Sequence, residues 1–351
     1  MKFFALLLPV FFLGLASATT TIEVATFDSG FGGYFTAKEI ERVARELEST
    51  HDVKFGINHY GDTLNAPYGS RHPEEIARLS ANGIATAFDR GAQHVFIACN
   101  TASTQFEKIA KILGPEKNGK FISIIDASVV ELRRRIDEKF KGQREVTVAI
   151  LATPATVKSG AYIRALADSY KTKVPWYKLN FSSQKRWLKP DGPELQSASG
   201  ELVFKLPEKK TLRVVLIGPA NWVDLIENGA DPEEKRKIIR RDLALLSPKG
   251  RWDIVGEFCT HFPVVEKTIK DEAGSLGLVS AQTGFLAQGP LMATVFRNLF
   301  TPGLTKKSKL SPPLTRARIF ISGDNVEATK TLAKEVFPDE PMPDVSVLDF
   351  R

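Results

Sequence analysis

Cysteine is scarce in this chain: Cys99 and Cys259 are the two cysteines among 351 residues. A chain of this length can build a full core without disulfide bonds, so the disulfide-rich small scaffolds are excluded. Long basic stripes and aromatic-basic repeats are also missing. The net charge of +7 is modest for the size, and nucleic acid is therefore not an expected partner.

Long apolar runs are rare too, and the clear one is at the N-terminus, in "MKFFALLLPVFFLGLASATT". Lys2 precedes an apolar run of thirteen residues, 3–15, and small residues follow at 16–18. This order is typical of a Sec-type signal peptide, and the run is too short to span a bilayer, which needs about 20 residues. We expect residues 1–18 to be cleaved after Ala18 and the protein to be periplasmic or secreted, without stable membrane insertion.

The rest of the chain alternates short β-branched runs with amphipathic helical patterns. Such alternation predicts an α/β fold with mainly parallel sheets and flanking helices, and ten strand-like runs over this length favour two sheets. The strand-like runs are "TIEVATF", "DVKFGIN", "HVFIAC", "KFISIID", "VTVAILAT", "KVPWYKLN", "LRVVLIG", "WDIVGEF", "LGLVSA" and "RARIFIS". Two stretches break the pattern, 182–210 and the basic, Pro-rich 301–318, and both are predicted to be surface insertions.

The setting of the two cysteines raises the question of their role. An even cysteine count in an exported chain favours a disulfide. However, each cysteine follows a strand-like run and precedes a helical pattern, in "HVFIACNTAS" and "WDIVGEFCTHFP". In open α/β sheets ligands bind at this end of the strands, where helix N-termini favour anions and lower a thiol pKa.

Two thiols held apart could act together as acid and base. One would remove a proton from a carbon and the other would return a proton on the opposite face. A disulfide would instead need Cα atoms within about 7 Å of each other, which leaves no room for a substrate. The Cys-x-His spacing at 259–261 does not match that of a structural zinc site. A hydrolase that uses Cys259 and His261 as a catalytic pair remains an open alternative.

Two further segments contain candidate residues. Asp28 ends the first strand-like run in "TFDSGFGG", whose glycines fail the dinucleotide-binding spacing and favour close approach to a small ligand. The carboxylate of Asp28 could equally cap the following helix. In "NAPYGSR" a tight turn precedes a helix, and its hydroxyl and N–H groups could hold a carboxylate.

Taken together, the strings "FDSGFGG", "YGDTLNAPYGSRHPEEI", "ACNTAS", "LATPATVKSGAY", "CTHFP" and "FISGD" resemble the aspartate/glutamate racemase superfamily, and most closely its bacterial glutamate racemase branch. The resemblance covers roughly residues 22–165, 252–300 and 316–340. It implies a cofactor-independent racemase with two pseudo-symmetric α/β domains and an active site in the interdomain cleft. The implied domains are 19–116 with 275–351, and 117–274.

The resemblance also implies roles for individual residues. Cys99 and Cys259 would be the acid/base thiols, assisted by Asp28 and His261 respectively, with no metal and no cofactor. The residues implied to hold an acidic amino acid are Asp28, Ser29, Pro67, Tyr68, Gly69, Asn100, Thr101, Thr260 and His261. A homodimer is a further expectation.

Three departures from the family pattern bear on this interpretation. Phe258 stands where the family usually has glycine, which predicts a narrower or reshaped pocket. The family also has a central glutamate that assists the second cysteine, and Glu194 and Glu201 are its candidates here. The third departure is the signal peptide, because the usual enzyme works in the cytoplasm.

The leading hypothesis is an exported racemase acting on glutamate or a similar acidic amino acid. Two alternatives remain open. One is another member of the superfamily, a decarboxylase or isomerase of small dicarboxylates. The other is a non-catalytic periplasmic amino-acid-binding protein, whose binding would survive replacement of both cysteines.

Overall fold

The computed structural model describes residues 20–172, 180–187, 194–206, 209–247, 250–307, 310, 312–313 and 315–350. The predicted signal peptide lies outside these residues. The chain divides into two compact units, Met1–Ala127 with Gly289–Arg351, and Ser128–Gln288. Within the described part, no helix has both the length and the apolar character needed to cross a membrane.

Twelve strands and twelve α-helices make up the described regular structure. The strands are β1 (Thr20–Asp28), β2 (Val53–Gly61), β3 (His94–Ile97), β4 (Phe121–Ser123), β5 (Glu145–Ala152), β6 (Asn180–Trp187), β7 (Glu194–Lys205), β8 (Thr211–Gly218), β9 (Ile254–Phe258), β10 (Gly284–Ala287), β11 (Arg318–Ile321) and β12 (Val345–Val347). The helices are α1 (Gly33–Thr50), α2 (Pro73–Asp89), α3 (Asn100–Ser103), α4 (Phe106–Leu113), α5 (Ile124–Lys139), α6 (Pro154–Ser159), α7 (Ala161–Ser169), α8 (Trp222–Glu227), α9 (Pro232–Leu246), α10 (Glu266–Ser275), α11 (Gln288–Phe300) and α12 (Val326–Val336).

The first unit contains a six-stranded sheet in the order β12-β11-β2-β1-β3-β4, and every pair in it is parallel. Its central strand β1 has buried apolar residues on both faces, as expected where helices cover both sides of a parallel sheet. Helix α1 packs with Ala37, Ile40, Ala44 and Leu47 buried, the three-to-four-residue spacing of one helix face.

The second unit contains a sheet in the order β10-β9-β5-β8-β7-β6. The pairs from β10 to β8 are parallel, while β7 is antiparallel to both β8 and β6. One face is covered by a cluster that includes Trp222, Phe262 and Leu243. The indole of Trp222 lies 5.2 Å from the Phe262 ring and donates a 3.0 Å hydrogen bond to Asp242. The α/β class with mainly parallel sheets is thus confirmed.

Two sequence-based expectations about local structure were wrong. "LGLVSA" is not a strand: Gly277 adopts φ +70° and Leu278 donates its N–H to Ala273, so the segment terminates α10. The stretch 182–210 is not simply a surface insertion, because it contributes β7 and part of β6 to the sheet. Ala198, Leu202 and Phe204 on β7 are buried.

The division into domains at 116 and 274 stays a prediction. The compact units of the structure change instead at 127/128 and 288/289. The second predicted insertion, 301–318, contains a 3-10 turn at Thr301–Gly303 and an isolated bridge between Lys306 and His51. Residues 308, 309, 311 and 314 of that stretch lie outside the described residues.

Candidate functional site

Asp28 and Cys99 lie side by side at the carboxyl end of the first sheet. Phe27 pairs with Ile97 in the parallel register of β1 and β3, and the N–H groups of Ala98 and Cys99 both donate to the Phe27 carbonyl. Asp28 ends β1, so this register brings its carboxyl beside the thiol that follows β3. Cys99 therefore lies just beyond the end of a strand, as its flanking sequence predicts.

The thiol of Cys99 is buried and hydrogen-bonded. Its Sγ lies 3.5 Å from the Ser29 hydroxyl and 3.4 Å from the N–H of Ala102, because Cys99 is the N-cap of α3. Burial and the charge of Asp28 raise the pKa of Cys99, against the weaker opposing effect of the Ala102 and Ser29 hydrogen bonds. The expectation that this strand-end setting lowers the thiol pKa is therefore wrong for Cys99, whose hydrogen-bond donors are outweighed by burial.

Asp28 accepts a hydrogen bond from the first residue of α1, as a capping group would, although the N-cap position itself is Gly32. Its Oδ2 accepts hydrogen bonds from the N–H groups of Gly30, at 3.3 Å, and Gly33, at 3.1 Å. These bonds fold the loop 28–33 back over the carboxylate at the start of α1. The same carboxyl acts electrostatically on Cys99, so capping and a role at the thiol are compatible.

Tyr68 is held close to this thiol by a second carboxylate. Its hydroxyl donates a 2.6 Å hydrogen bond to Asp62, which also accepts from Asn65 and Ser322. Burial first, and then Asp62, raise the pKa of Tyr68, with Cys99 among the further charges acting on it. Asp62 was not predicted from the sequence, although it directly follows the end of β2, much as Asp28 ends β1.

Among the other predicted binding residues of the first unit, some are buried and some are exposed to solvent. Asn100 and Thr101, in the first turn of α3, are buried beside Cys99. Pro67 is exposed and precedes the 3-10 helix Tyr68–Ser70. Gly69 is partly exposed, and a Cβ at this position would meet nothing within 4 Å. Open space at Gly69 means that packing does not require glycine there.

In the second unit, Cys259, Thr260 and His261 follow β9 and precede a 3-10 helix at Phe262–Val265. All three are buried. The Nδ1 atom of His261 lies 3.9 Å from the sulfur of Cys259 and 3.4 Å from the Thr260 hydroxyl. The predicted Cys259–His261 neighbourhood is therefore a real contact.

Glu227 completes this group and was not predicted. It is the last residue of α8, and its carboxylate lies 2.8 Å from Nε2 of His261. Burial opposes a charged His261, but Glu227 and Cys259 outweigh it and raise the pKa of His261 well above its ordinary value. Burial likewise opposes ionisation of Glu227, yet His261 lowers the pKa of that carboxyl. Both pKa shifts favour the carboxylate–imidazolium form of the pair, and Nδ1 of His261 faces the Cys259 sulfur.

Neither glutamate suggested from the sequence is described at this site. Glu201 is on β7, where it pairs with Arg213. Glu194 begins β7, but its side chain lies outside the described residues. Glu227 is separated from the end of β8 by the short helix α8, so the strand-end rule that applies to Asp28 does not reach it.

Phe258 does not point toward the thiol that follows it. Successive side chains of a strand alternate between faces. The fully buried Phe258 ring stacks on Tyr162, with ring centroids 4.3 Å apart and an angle of 16°. A Cβ on Gly256 would lie 2.5 Å from this ring, so the space for the ring comes from the glycine two residues earlier. The expectation that Phe258 narrows the pocket is not supported by this orientation.

Both cysteines are free thiols. Among the residues described, no group of three or more His, Cys, Asp and Glu is arranged to hold a metal ion. Fold and sites thus define an α/β protein in which each of two units has a thiol at the end of a parallel strand, one beside Asp28 and one beside a Glu227–His261 pair.

Comparisons with known proteins agree with this description. A glutamate racemase of Aquifex pyrophilus is 27% identical over 261 residues, 74% of this chain and 79% of that protein. One from Dinoroseobacter shibae is 36% identical over 153 residues, and the match spans about half of that protein's length, 52%. No protein-family model matches the chain.

Solved structures show the same fold. A glutamate racemase of Bacillus anthracis has a TM-score of 0.65 at 19% identity, covering 93% of this chain and 97% of its own. The Francisella tularensis glutamate racemase in complex with D-glutamate has a TM-score of 0.63 at 16% identity, covering 94% and 98%. The chain is thus similar in sequence to glutamate racemases and shares their fold.

Proposed function

We propose that the protein is an amino-acid racemase that interconverts L- and D-glutamate. The observation that carries the proposal is the matched pair of buried free thiols, each at the end of a parallel strand and each beside a charged acid/base group. The relatives named glutamate racemase support the same reaction and substrate.

The surroundings of Cys99 and Cys259 suggest how each thiol takes part in the reaction. Racemisation needs one group that removes the α-proton and another that returns a proton to the opposite face. Cys99, with its raised pKa, is suited to begin as a thiol that donates a proton. Cys259, 3.9 Å from an imidazole paired with Glu227, has a partner through which its proton can be exchanged. In the reverse direction the two thiols exchange roles.

The substrate is held by the polar groups around each thiol. Ser29, Asn100, Thr101 and Tyr68 supply hydroxyl and amide groups near Cys99, and Thr260 does so near Cys259. Such neutral donors and acceptors suit the carboxylate and ammonium groups of an amino acid. Pro67 and Gly69 would shape the backbone beside Tyr68.

Chiral chromatography of reactions started from each pure enantiomer tests the proposal. Wild-type protein should bring L- and D-glutamate to the same mixture. Cys99→Ser and Cys259→Ser should each lower the rate by a factor of about 10³ or more, since each removes an acid/base group. Conversion of a small dicarboxylate to a decarboxylated product, or tight glutamate binding without turnover in wild type and both variants, would support the other two hypotheses instead.

We also propose that residues 1–18 direct export and are removed after Ala18. The support is the sequence pattern of a charged start, a short apolar run and small residues before the cleavage point. Mass spectrometry of the protein recovered from a periplasmic fraction should find Thr19 at the N-terminus. Recovery of full-length protein from the cytoplasm alone would contradict export.

A further inference from the structure

Beneath the loop that carries Asp28 and Ser29 lies a buried histidine, His59 on β2. It is 0% exposed, and so is Thr26, the neighbouring side chain on β1. Both ring nitrogens of His59 are engaged. Nδ1 lies 2.9 Å from the Thr26 hydroxyl, and Nε2 lies 3.1 Å from the carbonyl oxygen of Gly30.

These two contacts determine which ring nitrogen of His59 carries the hydrogen. A carbonyl oxygen can only accept, so Nε2 carries the hydrogen and donates it to Gly30. Nδ1 then accepts from the Thr26 hydroxyl, which specifies this tautomer. Burial lowers the pKa of His59 to about 4, so the ring is neutral at ordinary pH and keeps one donor and one acceptor.

The loop 28–33 packs closely against the imidazole of His59. A Cβ on Gly33 would lie 2.7 Å from Cε1 of His59 and 2.5 Å from Cβ of Asp28. A Cβ on Gly61 would lie 2.7 Å from the Gly30 carbonyl oxygen. Glycine at these two positions therefore allows the loop, the ring and Asp28 to pack against one another.

The loop in turn sets the surroundings of Cys99. Asp28 accepts from the N–H groups of Gly30 and Gly33, so the position of Gly30 is coupled to the position of the carboxylate. Ser29 lies between these residues and places its hydroxyl 3.5 Å from the Cys99 sulfur. A shift of the Gly30 carbonyl would move both groups that act on the thiol.

We propose that His59 is a positioning residue for Cys99, acting through its hydrogen bond to Gly30 and the loop 28–33. The proposal rests on the proposed function, because it gives His59 a role only if Cys99 is a working thiol. A purely structural histidine would stabilise the first unit without changing the reactivity of Cys99 relative to Cys259.

The test measures the two thiols within one molecule. Iodoacetamide alkylation of the reduced full chain is followed by peptide-resolved mass spectrometry, and the rate constants for Cys99 and Cys259 are determined across a pH series. Cys259 lies in the other unit and serves as the internal reference. The ratio of the two alkylation rate constants is measured without substrate. Failure of this proposal can therefore be distinguished from failure of the proposed racemase function.

Three variants separate the contacts. His59→Leu removes both hydrogen bonds, His59→Gln keeps a side-chain N–H for the Gly30 carbonyl, and Thr26→Val removes the hydroxyl that specifies the tautomer. His94→Gln is the matched control. His94 lies at the start of β3 in the same unit, where it packs edge-on against Phe300 with centroids 5.4 Å apart.

We expect His59→Leu to change the Cys99:Cys259 ratio by about fivefold or more, with Thr26→Val changing it less. The racemisation kcat should fall about tenfold or more in His59→Leu and recover largely in His59→Gln. His94→Gln should leave both quantities at the wild-type value. An unchanged Cys99:Cys259 alkylation ratio in a folded His59→Leu protein would overturn the proposal. So would a ratio altered in His59→Gln as much as in His59→Leu. If His59→Leu does not fold, an unchanged ratio in Thr26→Val would overturn it.

Discussion

Glu257 is a carboxyl group inside the second sheet, and it makes stability depend on pH. It lies on β9 and is 0% exposed, and neither carboxylate oxygen has a hydrogen-bond partner among the described residues. Burial first, and then the charge of Glu266, raise its pKa from 4.5 to about 8, against an opposing effect of Lys270. The folded protein therefore holds this proton at pH values where the unfolded chain has lost it.

The sign and size of the effect follow from this difference. Between pH 4.5 and 8 the unfolded chain ionises first, so wild-type stability falls as the pH rises. A difference of one pKa unit between the folded and unfolded states corresponds to about 1.4 kcal/mol. The free energy of unfolding of the wild type should therefore fall by about 3 kcal/mol between pH 5 and pH 8. Glu257→Gln has no proton to lose. Its stability relative to wild type should increase by that amount over the same interval.

Urea unfolding followed by tryptophan fluorescence measures this directly. Trp222 and Trp252 are buried in the same unit as Glu257 and report on its unfolding. Glu233→Gln is the control, since Glu233 lies in the same unit, its side chain is 84% exposed, and its charge is not among those that act on Glu257. A relative change below about 1 kcal/mol in Glu257→Gln would refute the account of a buried, protonated carboxyl.

The remaining predictions concern the second thiol and its strand. Glu227→Gln should lower the pKa of His261 and reduce kcat about 10- to 100-fold, and a pH–rate profile identical to wild type would exclude this role. Phe258→Leu should cost about 1–2 kcal/mol in urea unfolding through the lost Tyr162 stacking, yet leave KM for glutamate unchanged; a changed KM would mean that the ring reaches substrate. Gly256→Ala should cost about 1–3 kcal/mol, and less in the Phe258→Leu background, because the added methyl meets that ring; equal costs in both backgrounds would contradict this.

The sequence was most informative where function depends on strand ends. Asp28 and Cys99 are 71 positions apart. However, Asp28 is the last residue of one apolar strand and Cys99 lies two residues beyond the end of another, and parallel pairing of these neighbouring strands brings them together. The His261–Cys259 contact is local, so its spacing was sufficient. The thiol pKa was harder to predict, because it depends on how completely Cys99 is buried and on which donors reach its sulfur.

Other features required three-dimensional information. Glu227 lies 34 residues from His261, and their contact depends on where the short helix α8 ends. The role of β7 was missed because a Ser- and Gly-containing stretch hides the alternation of Ala198, Leu202 and Phe204. The orientation of Phe258, by contrast, could have been derived from strand alternation, since it precedes Cys259 by one residue.

The proposed reaction requires that Cys99 and Cys259 transfer the α-proton of glutamate. The most direct measurement is ¹H NMR of L- and D-glutamate incubated separately with the reduced protein in deuterated water. We expect deuterium to replace the α-hydrogen from either enantiomer, together with loss of optical activity, and we expect Cys99→Ser and Cys259→Ser each to abolish the racemisation. Retention of the α-hydrogen in both enantiomers, with both thiols confirmed free, would contradict it.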